Sequence, residues 1–238
     1  MISHRRYAQL LLALFTVLWV VLAIEPLHRS DWVLENVLVG VFILFLLSTH
    51  AAMPLSRISY TLIFVFLCLH EIGAHYTYAE VPYDRWFASL FGNTLNELLG
   101  WERNNFDRII HFAYGLLLAY PIREIVIRVA NVSGFWAYFL PLDFTMSTSM
   151  LYELIEWGAA AVFGGDLGMA YLGTQGDIWD AHKDMLVASM GALFAMLLTA
   201  MLNVYLQRDF AREWNESLQV KHHQPLGEDE IVRLWKKR

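Results

Sequence analysis

Six apolar stretches, each about as long as a membrane is thick, constrain the fold of this chain more than any other feature. They cover residues 7–24, 32–52, 58–78, 107–122, 135–163 and 184–206. A helix needs about 20 mostly apolar residues to cross the hydrocarbon core, within a range of about 17–25. Charged residues make up only 17% of the chain, against about 25% in an ordinary soluble domain. The sequence therefore predicts an all-α, polytopic transmembrane helix bundle of about six spans.

The remaining segments are predicted to complete one membrane domain and a short tail. Residues 1–206 form a single transmembrane helical domain in this interpretation, and the charged residues 207–238 form a cytoplasmic tail. The long connection over 79–106 repeats large apolar residues at helical spacing, with charged residues between them. This pattern predicts an interfacial amphipathic helix between spans 3 and 4, which either lies on the membrane surface or caps the bundle.

The distribution of Lys and Arg predicts the orientation of the chain. With the N-terminus inside, 12 of the 17 basic residues lie in inner segments and five lie in outer connections. Because basic residues concentrate on the cytoplasmic side, both termini are predicted to be cytoplasmic. The net charge of −6 excludes a nucleic-acid binder, which needs a basic surface. The single cysteine, Cys68, excludes an intrachain disulfide.

Ionisable residues inside membrane spans are costly and therefore indicate function. In the predicted topology they gather at the outer ends of spans 3, 4, 5 and 6. Most of them follow one another at i, i+3 or i+4, which places them on one face of each helix. We predict that they line one site near the outer surface. The candidates are Glu71, His75, Asp107, His111, Glu153, Glu156, Asp177, Asp180 and Asp184, with His70 and His182 in second rank.

A histidine beside carboxylates suits acid–base chemistry on a phosphoester. In this hypothesis His111 is the reacting base, and Asp107, Glu153 and Glu156 complete the catalytic group. The structural alternative is that Glu153 and Glu156 pair with the basic side chains of the outer connections.

Three further acids favour a bound cation. Asp177, Asp180 and Asp184 share a helix face, so they repel one another unless a basic side chain or a divalent cation neutralises them. Together with Glu71 and His75 they are the predicted ligands of a divalent metal ion. Oxygen ligands favour Mg²⁺, Mn²⁺ or Ca²⁺, whereas histidine ligands favour Zn²⁺ or Fe²⁺.

Four segments between residues 60 and 200 carry a family resemblance. They read HEIGAHYTY, FDRIIHFAYGLLLAYP, YELIEW and GTQGDIWDAHKDM. In these segments the chain resembles the YjdF-like bacterial inner-membrane proteins, whose function is uncharacterised. The resemblance implies a multi-pass protein of the bacterial inner membrane.

A more distant resemblance is to the VanZ-like membrane proteins. Asp107 and His111 match their Asp-x3-His element, Glu153 matches their acidic helix, and Asp180 matches their final acidic segment. Gln175 stands roughly where that family has an arginine. The resemblance implies chemistry on lipid head groups at the membrane surface.

Three functions stay open on the sequence alone. The first is an enzyme, a phosphoester hydrolase or transferase, that acts on the head groups of membrane lipids. The second is a non-enzymatic membrane scaffold whose polar helix ends only hold the bundle together. The third is a proton- or ion-coupled transporter, since buried acids and histidines also mark such pathways.

Overall fold

The computed structural model describes residues 3–163, 174–206, 209–221, 227 and 233–236, and the following account concerns these residues. The predicted all-α architecture is confirmed, and no β-strand occurs in the described ranges. The helices are α1 (His4–Leu22), α2 (Arg29–Thr49), α3 (Arg57–His75), α4 (Tyr83–Phe91), α5 (Leu95–Leu99), α6 (Phe106–Ala130), α7 (Trp136–Phe163), α8 (Asp180–Leu206) and α9 (Phe210–Ser217). Residues 164–173, between the fifth and sixth predicted spans, and most of 222–238 in the predicted tail lie outside this description.

Five helices, α1, α2, α3, α6 and α8, are long and apolar enough to cross a membrane. Helix α7 has 28 residues, which also suffices in length. It is not among those five, and it carries three acidic residues, Asp143, Glu153 and Glu156. The sixth span therefore stays a prediction that rests on the length of α7 and on its place in the bundle.

Helix α6 extends well beyond the predicted end at residue 122. It continues through Pro121 to Ala130, and its polar final turns contact other elements. The Glu124 carboxylate accepts hydrogen bonds from the Ser56 amide at 2.9 Å and from the Ser59 hydroxyl at 2.6 Å, at the start of α3. The Arg123 guanidinium lies 4.7 Å from the ring centre of Tyr138. These contacts stabilise a helix end that apolar length alone does not predict.

The predicted interfacial helix is two short helices rather than one. Gly92 adopts a left-handed conformation, with φ of 87°, and ends α4. Thr94 and Glu97 then form a capping box that starts α5. Leu90, with 77% of its surface exposed, and Leu98, with 60%, give the pair an open apolar face.

Helices α6 and α8 pack most extensively, and they run parallel from one end of the bundle. Gly115 of α6 lies against the carbonyl of Ala188, and Gly191 of α8 lies against the carbonyl of Phe112. A Cβ atom at either glycine would collide with the facing backbone. Small residues allow such close approach of membrane helices. One turn before Gly115 and Ala188 lie His111 and Asp184, so this contact sets the distance between those two side chains.

The other helices surround this pair. Helix α7 packs on both α6 and α8, α3 packs on α6, and α1 and α2 pack on α3. We call the end of the bundle that carries the N-termini of α6 and α8 the polar end. The C-terminus of α3 and the N-terminus of α2 lie at the same end, because the Leu27 amide, just before α2, donates to the His75 carbonyl at the end of α3 at 2.9 Å, and His70 of α3 lines the cavity beside Asp107.

Part of the predicted tail docks on the opposite end. In α9 the Trp214 ring packs against the rings of Phe135 and Tyr138, at 5.4 and 5.9 Å between centroids. The Ser217 hydroxyl accepts a hydrogen bond of 2.9 Å from the Phe135 amide. Residues 210–217 therefore form a docked helix at the start of α7, although the composition of the tail predicts a solvated segment.

Candidate functional site

Three ligand-bearing side chains converge at the polar end. Asp107 and His111 lie one turn apart at the start of α6, and Asp184 lies in the second turn of α8. Their nearest side-chain oxygen and nitrogen atoms all lie within 4.8 Å of one another. Helix α7 adds Glu153, whose Oε1 is 3.7 Å from His111 Nε2. We call Asp107, His111, Glu153 and Asp184 the four-residue cluster.

The cluster is buried and holds polar atoms that lack hydrogen bonds. The side chains of His111 and Glu153 are each 10% exposed, and that of Asp184 is 3% exposed. Glu153 Oε1 and Asp184 Oδ1 have no hydrogen-bond partner within the described part of the chain. Arg108 Nε approaches Asp184 Oδ1 only to 3.7 Å, which is too far for a hydrogen bond. Burying carboxylates in this way is costly unless a positive group or a proton accompanies them.

The spacing of the cluster atoms fits a shared cation. His111 Nε2 lies 3.5 Å from Asp107 Oδ1 and 3.7 Å from Glu153 Oε1, so both carboxylates approach the same nitrogen. Both distances exceed a hydrogen bond. Ligands that surround one ion tetrahedrally at about 2.1 Å stand roughly 3.4 Å apart. These two distances are therefore close to the spacing between ligands of one metal ion, and the ligand atoms of Asp107, His111 and Asp184 lie within 4.8 Å of one another.

Basic side chains donate hydrogen bonds to two of the three predicted acidic ligands of the α8 segment, and Arg108 approaches the third, Asp184, at ion-pair distance. Arg103 and Arg108 both donate to Asp180 Oδ1, the latter at 2.8 Å. Arg108 Nη2 also donates to Asp177 Oδ2 at 2.7 Å, and Lys183 Nζ donates to the same oxygen at 2.6 Å. Hydrogen bonds from Lys183 and Arg108 hold the pKa of Asp177 below its usual range. We call Arg103, Arg108, Asp177, Asp180 and Lys183 the arginine network.

The network answers a question that the sequence leaves open. Arg103, Arg108 and Lys183 are the basic residues that the structural alternative pairs with Glu153 and Glu156. In the structure they pair with Asp177 and Asp180 instead. Glu153 stays in the four-residue cluster, and Glu156 lies one turn further along α7, half-buried near Asp107 and Glu153.

The α3 candidates lie beside the cluster rather than in it. Glu71 is fully buried, and neither of its carboxylate oxygens has a hydrogen-bond partner in the described ranges. His70 Nδ1 shares a hydrogen bond of 2.5 Å with the Tyr78 hydroxyl. His75 points to the end of α1, where its Nδ1 is 2.8 Å from the carbonyl oxygen of Leu22. The predicted roles of Glu71 and His75 as metal ligands stay predictions.

The second-rank residue His182 lies on the surface. Its side chain is exposed, and its ring contacts that of Trp179 at 5.3 Å between centroids. One residue of the site, Glu35 of α2, has no role in the sequence analysis. Its carboxylate is buried and accepts a hydrogen bond of 3.2 Å from the Tyr152 hydroxyl of α7. An acid inside an apolar stretch is the signal that identifies it.

An apolar cavity of about 490 Å³ begins at the cluster and continues along the bundle. Helices α2, α3, α6 and α7 line it. Its polar lining residues at the cluster are His70, Tyr78, Asp107, His111 and Tyr152. Further along, the wall consists mainly of aliphatic and aromatic side chains, such as Val39, Leu118 and Phe144.

Long apolar helices around a buried ionisable site define a polytopic helical membrane protein. Residues 7–204 match the family described as "Predicted membrane protein (DUF2238)", and the chain belongs to this family. It is similar to the inner membrane protein YjdF of Escherichia coli (strain K12), with 36% identity over 186 residues, covering 78% of this chain and 85% of the relative. No solved structure matches the chain.

These findings confirm the YjdF-like resemblance that the four sequence segments indicate. They also support a membrane location, since the relative is an inner membrane protein. The more distant resemblance to the VanZ-like proteins stays a prediction.

Proposed function

We propose that the protein is a metal-assisted membrane enzyme, a phosphoester hydrolase or transferase that acts on the head groups of membrane lipids. The observation that carries this proposal is that Asp107 and His111 of the four-residue cluster line the polar end of an apolar cavity. A lipid can place its phosphate at the cluster and its hydrocarbon chain in the cavity. Buried polar ligands can bind the head group of an amphipathic substrate, and an apolar wall can bind its hydrocarbon chain.

Asp107, His111 and Asp184 are the proposed ligands of a divalent ion. Imidazole suits Zn²⁺, and carboxylates suit Mn²⁺ and Mg²⁺, so a mixed set of this kind favours Zn²⁺ or Mn²⁺. Such an ion would offset the carboxylates' negative charge and polarise a phosphoryl oxygen. The cavity supplies the dry surroundings in which this polarisation is strong.

Glu153 is the proposed general base. Its Oε1 has no hydrogen-bond partner among the described residues and lies 3.7 Å from His111 Nε2, which places it beside the proposed ion. In the hydrolytic reaction Glu153 takes a proton from the attacking water as the water oxygen bonds to phosphorus. The bond between phosphorus and the leaving oxygen breaks, and Glu153 returns the proton to the leaving oxygen. The sequence hypothesis gave the role of base to His111. Two carboxylates approaching one nitrogen of His111 favour the role of a ligand instead.

The excess of basic residues in the predicted inner segments supports a site at the outer leaflet, with both termini cytoplasmic. Labelling of single cysteines with a membrane-impermeant reagent tests this orientation. In a Cys68→Ser background, Asn93→Cys should react from outside, and Asn215→Cys should react only after permeabilisation. Both positions are exposed. Reaction of Asn93→Cys from the cytoplasmic side alone would contradict the proposed orientation.

The enzyme is tested by metal analysis and by release of head-group products from purified protein in lipid nanodiscs. Asp184→Asn and His111→Gln are expected to lower the bound metal and the turnover together. His182→Gln is the matched control, because His182 is exposed and should retain both. If His111 is the base, His111→Gln instead retains the metal and loses about 10²–10⁴ in rate. A metal-free parent protein that releases no product from a panel of lipids would refute the proposal.

The arginine network supports the scaffold as a second candidate. It connects the segment before α6 to the segment before α8, which are 69–77 residues apart in the sequence. In a scaffold the four-residue cluster serves the same structural purpose. Asp107→Asn and Glu153→Gln would then lower thermal stability, and the parent protein would show no turnover.

A further inference from the structure

The cavity is long. On α6 its lining runs from Asp107 to Val126, which corresponds to about 28 Å along a helix.

The length of the cavity exceeds one leaflet. The hydrocarbon core is about 30 Å thick, so each leaflet contributes about 15 Å. An acyl chain that matches one leaflet would leave the far half of the cavity empty. Lining residues continue to that far half, where Leu55 and Ile125 lie. The cavity therefore fits a chain that extends through most of the membrane.

The gap between α2 and α7 is closed near the cluster and open further along. At the polar end the Tyr152 hydroxyl of α7 donates to the Glu35 carboxylate of α2 at 3.2 Å. Phe45 of α2 and Phe144 of α7 also line the cavity, and they are 47% and 52% exposed on the outside of the bundle. They lie about 12–15 Å further along their helices than the Glu35–Tyr152 bond. A second chain that stayed outside the cavity would have to separate from the first where the two helices are joined.

Most polar side chains of the middle wall are occupied by one another. The Tyr114 hydroxyl and the Thr148 hydroxyl share a hydrogen bond of 2.5 Å, and the Thr148 hydroxyl also donates to the Phe144 carbonyl. Ser149 Oγ, one turn from Glu153 on α7, also lines the cavity and has no hydrogen-bond partner among the described residues. The unpartnered polar atoms of the wall thus lie at the cluster and within one turn of it, where a charged head group would bind.

We infer that the occupant of the cavity is a polyprenyl phosphate, a lipid with one long chain and a phosphate at its end. This inference rests on the proposed function for the placement of the phosphate at the four-residue cluster. The chain extends from the cluster along α6, and it enters sideways through the opening at Phe45 and Phe144. A diacyl phospholipid is disfavoured because its chains are about one leaflet long and would leave the far half of the cavity empty, and because a chain outside the cavity has no exit near the head group.

Photo-cross-linking tests the inference on the unaltered protein. The protein is placed in nanodiscs of phosphatidylethanolamine and phosphatidylglycerol with a trace of polyprenyl phosphate that carries a diazirine in its chain. Labels are expected on cavity residues such as Leu118 and Ile122, and unlabelled polyprenyl phosphate should compete for them. A phosphatidylethanolamine with the diazirine in an acyl chain should label exposed residues such as Val41 and Leu44. Equal labelling of the cavity by the diacyl probe, or labelling of the outer surface alone by both probes, would overturn the inference.

A matched pair of variants gives a second measurement. Val39 lines the cavity, whereas Val41, two residues further along α2, is 59% exposed on the outside. Val39→Trp fills the cavity and should reduce labelling by the polyprenyl probe about tenfold or more, a difference of about 1.4 kcal/mol in binding. Val41→Trp should leave the labelling unchanged. Equal labelling of the two variants would contradict the inference, and size-exclusion chromatography checks that both fold.

The labelling experiment does not require turnover. It can therefore refute the polyprenyl phosphate inference without refuting the enzyme, and the turnover assay can do the reverse. A protein that binds the polyprenyl probe in the cavity but releases no product from any lipid keeps the inference and refutes the enzyme. Turnover of diacyl phospholipids without labelling of the cavity keeps the enzyme and refutes the inference.

Discussion

Replacement of Arg108 is the sharpest test of the electrostatics at the polar end, because the chain provides a matched control. Arg108 and Lys183 donate to the same oxygen of Asp177, at 2.7 and 2.6 Å. The side chain of Arg108 is only 20% exposed, against 45% for Lys183. Arg108 also bonds Asp180, whose side chain is 4% exposed. Because the two donors stand at nearly equal distances from Asp177 but differ in burial, comparing their substitutions separates the effect of burial from that of distance.

The expected loss follows from the charge that the substitution leaves behind. Breaking a buried ion pair by removing one partner costs about 3–5 kcal/mol. Because Arg103 still donates to Asp180 in Arg108→Met, we expect the lower end, about 3 kcal/mol. For a domain of this size about 1 kcal/mol shifts the unfolding midpoint by about 2–4 °C, so the shift should be about 6–12 °C. Lys183→Met should give no resolvable shift, since exposed pairs are screened by solvent.

Thermal unfolding in detergent, followed by tryptophan fluorescence, measures both variants. The double variant Arg108→Met with Asp180→Asn should recover part of the loss, because the amide removes the uncompensated charge. Equal midpoints for Arg108→Met and Lys183→Met would refute the reasoning. A further fall in the double variant would also refute it, since the cost would then not arise from the charge of Asp180.

Three further predictions concern other parts of the molecule. Gly115→Ala should separate α6 from α8 and lower both the unfolding midpoint and any bound metal, whereas Gly40→Ala, with open space at its Cβ, should leave both unchanged or raise the midpoint. Because the pKa of Asp177 is lowered in the folded protein, its contribution to stability is present above its unfolded pKa of about 3.9 and is lost as pH falls through the folded value. The midpoint difference between the parent and Asp177→Asn should therefore be the same at pH 8 and pH 6 and shrink in strong acid. Trp214→Ala should release α9 from α7 and speed tryptic cleavage after the exposed Arg212, without changing turnover.

The membrane helices could be predicted because apolar length is a property of the sequence alone. Stretches of about 20 apolar residues indicate helices wherever they occur, and α1, α2, α3, α6 and α8 follow them. The ends were less predictable, because they depend on tertiary contacts. The last turns of α6 are polar and are stabilised by Ser56, Ser59 and Tyr138, which belong to other elements. The division between α4 and α5 follows from the left-handed Gly92, whose turn an apolar repeat does not reveal.

The sequence predicts which candidate side chains share a face of one helix. It does not predict which side chains of different helices come close together. The i, i+4 spacing of Asp107 and His111 places them on one face of α6 from sequence alone. Their approach to Asp184 depends on the close packing of α6 and α8 at Gly115, which no local pattern shows. The sequence also left open what neutralises Asp177 and Asp180, because a basic side chain and a cation satisfy the same pattern.

Arg108 joins the arginine network to the four-residue cluster. Its Nη2 donates to Asp177 and Asp180. Its Nε lies 3.7 Å from Asp184 Oδ1, which is ion-pair distance but too far to donate a hydrogen bond. A shift of Arg108 toward Asp184 would lengthen its bonds to Asp177 and Asp180, so the network limits how closely the guanidinium approaches Asp184. Asp184 Oδ1 therefore has no hydrogen-bond partner among the described residues, and this is the atom that the proposed cation would use.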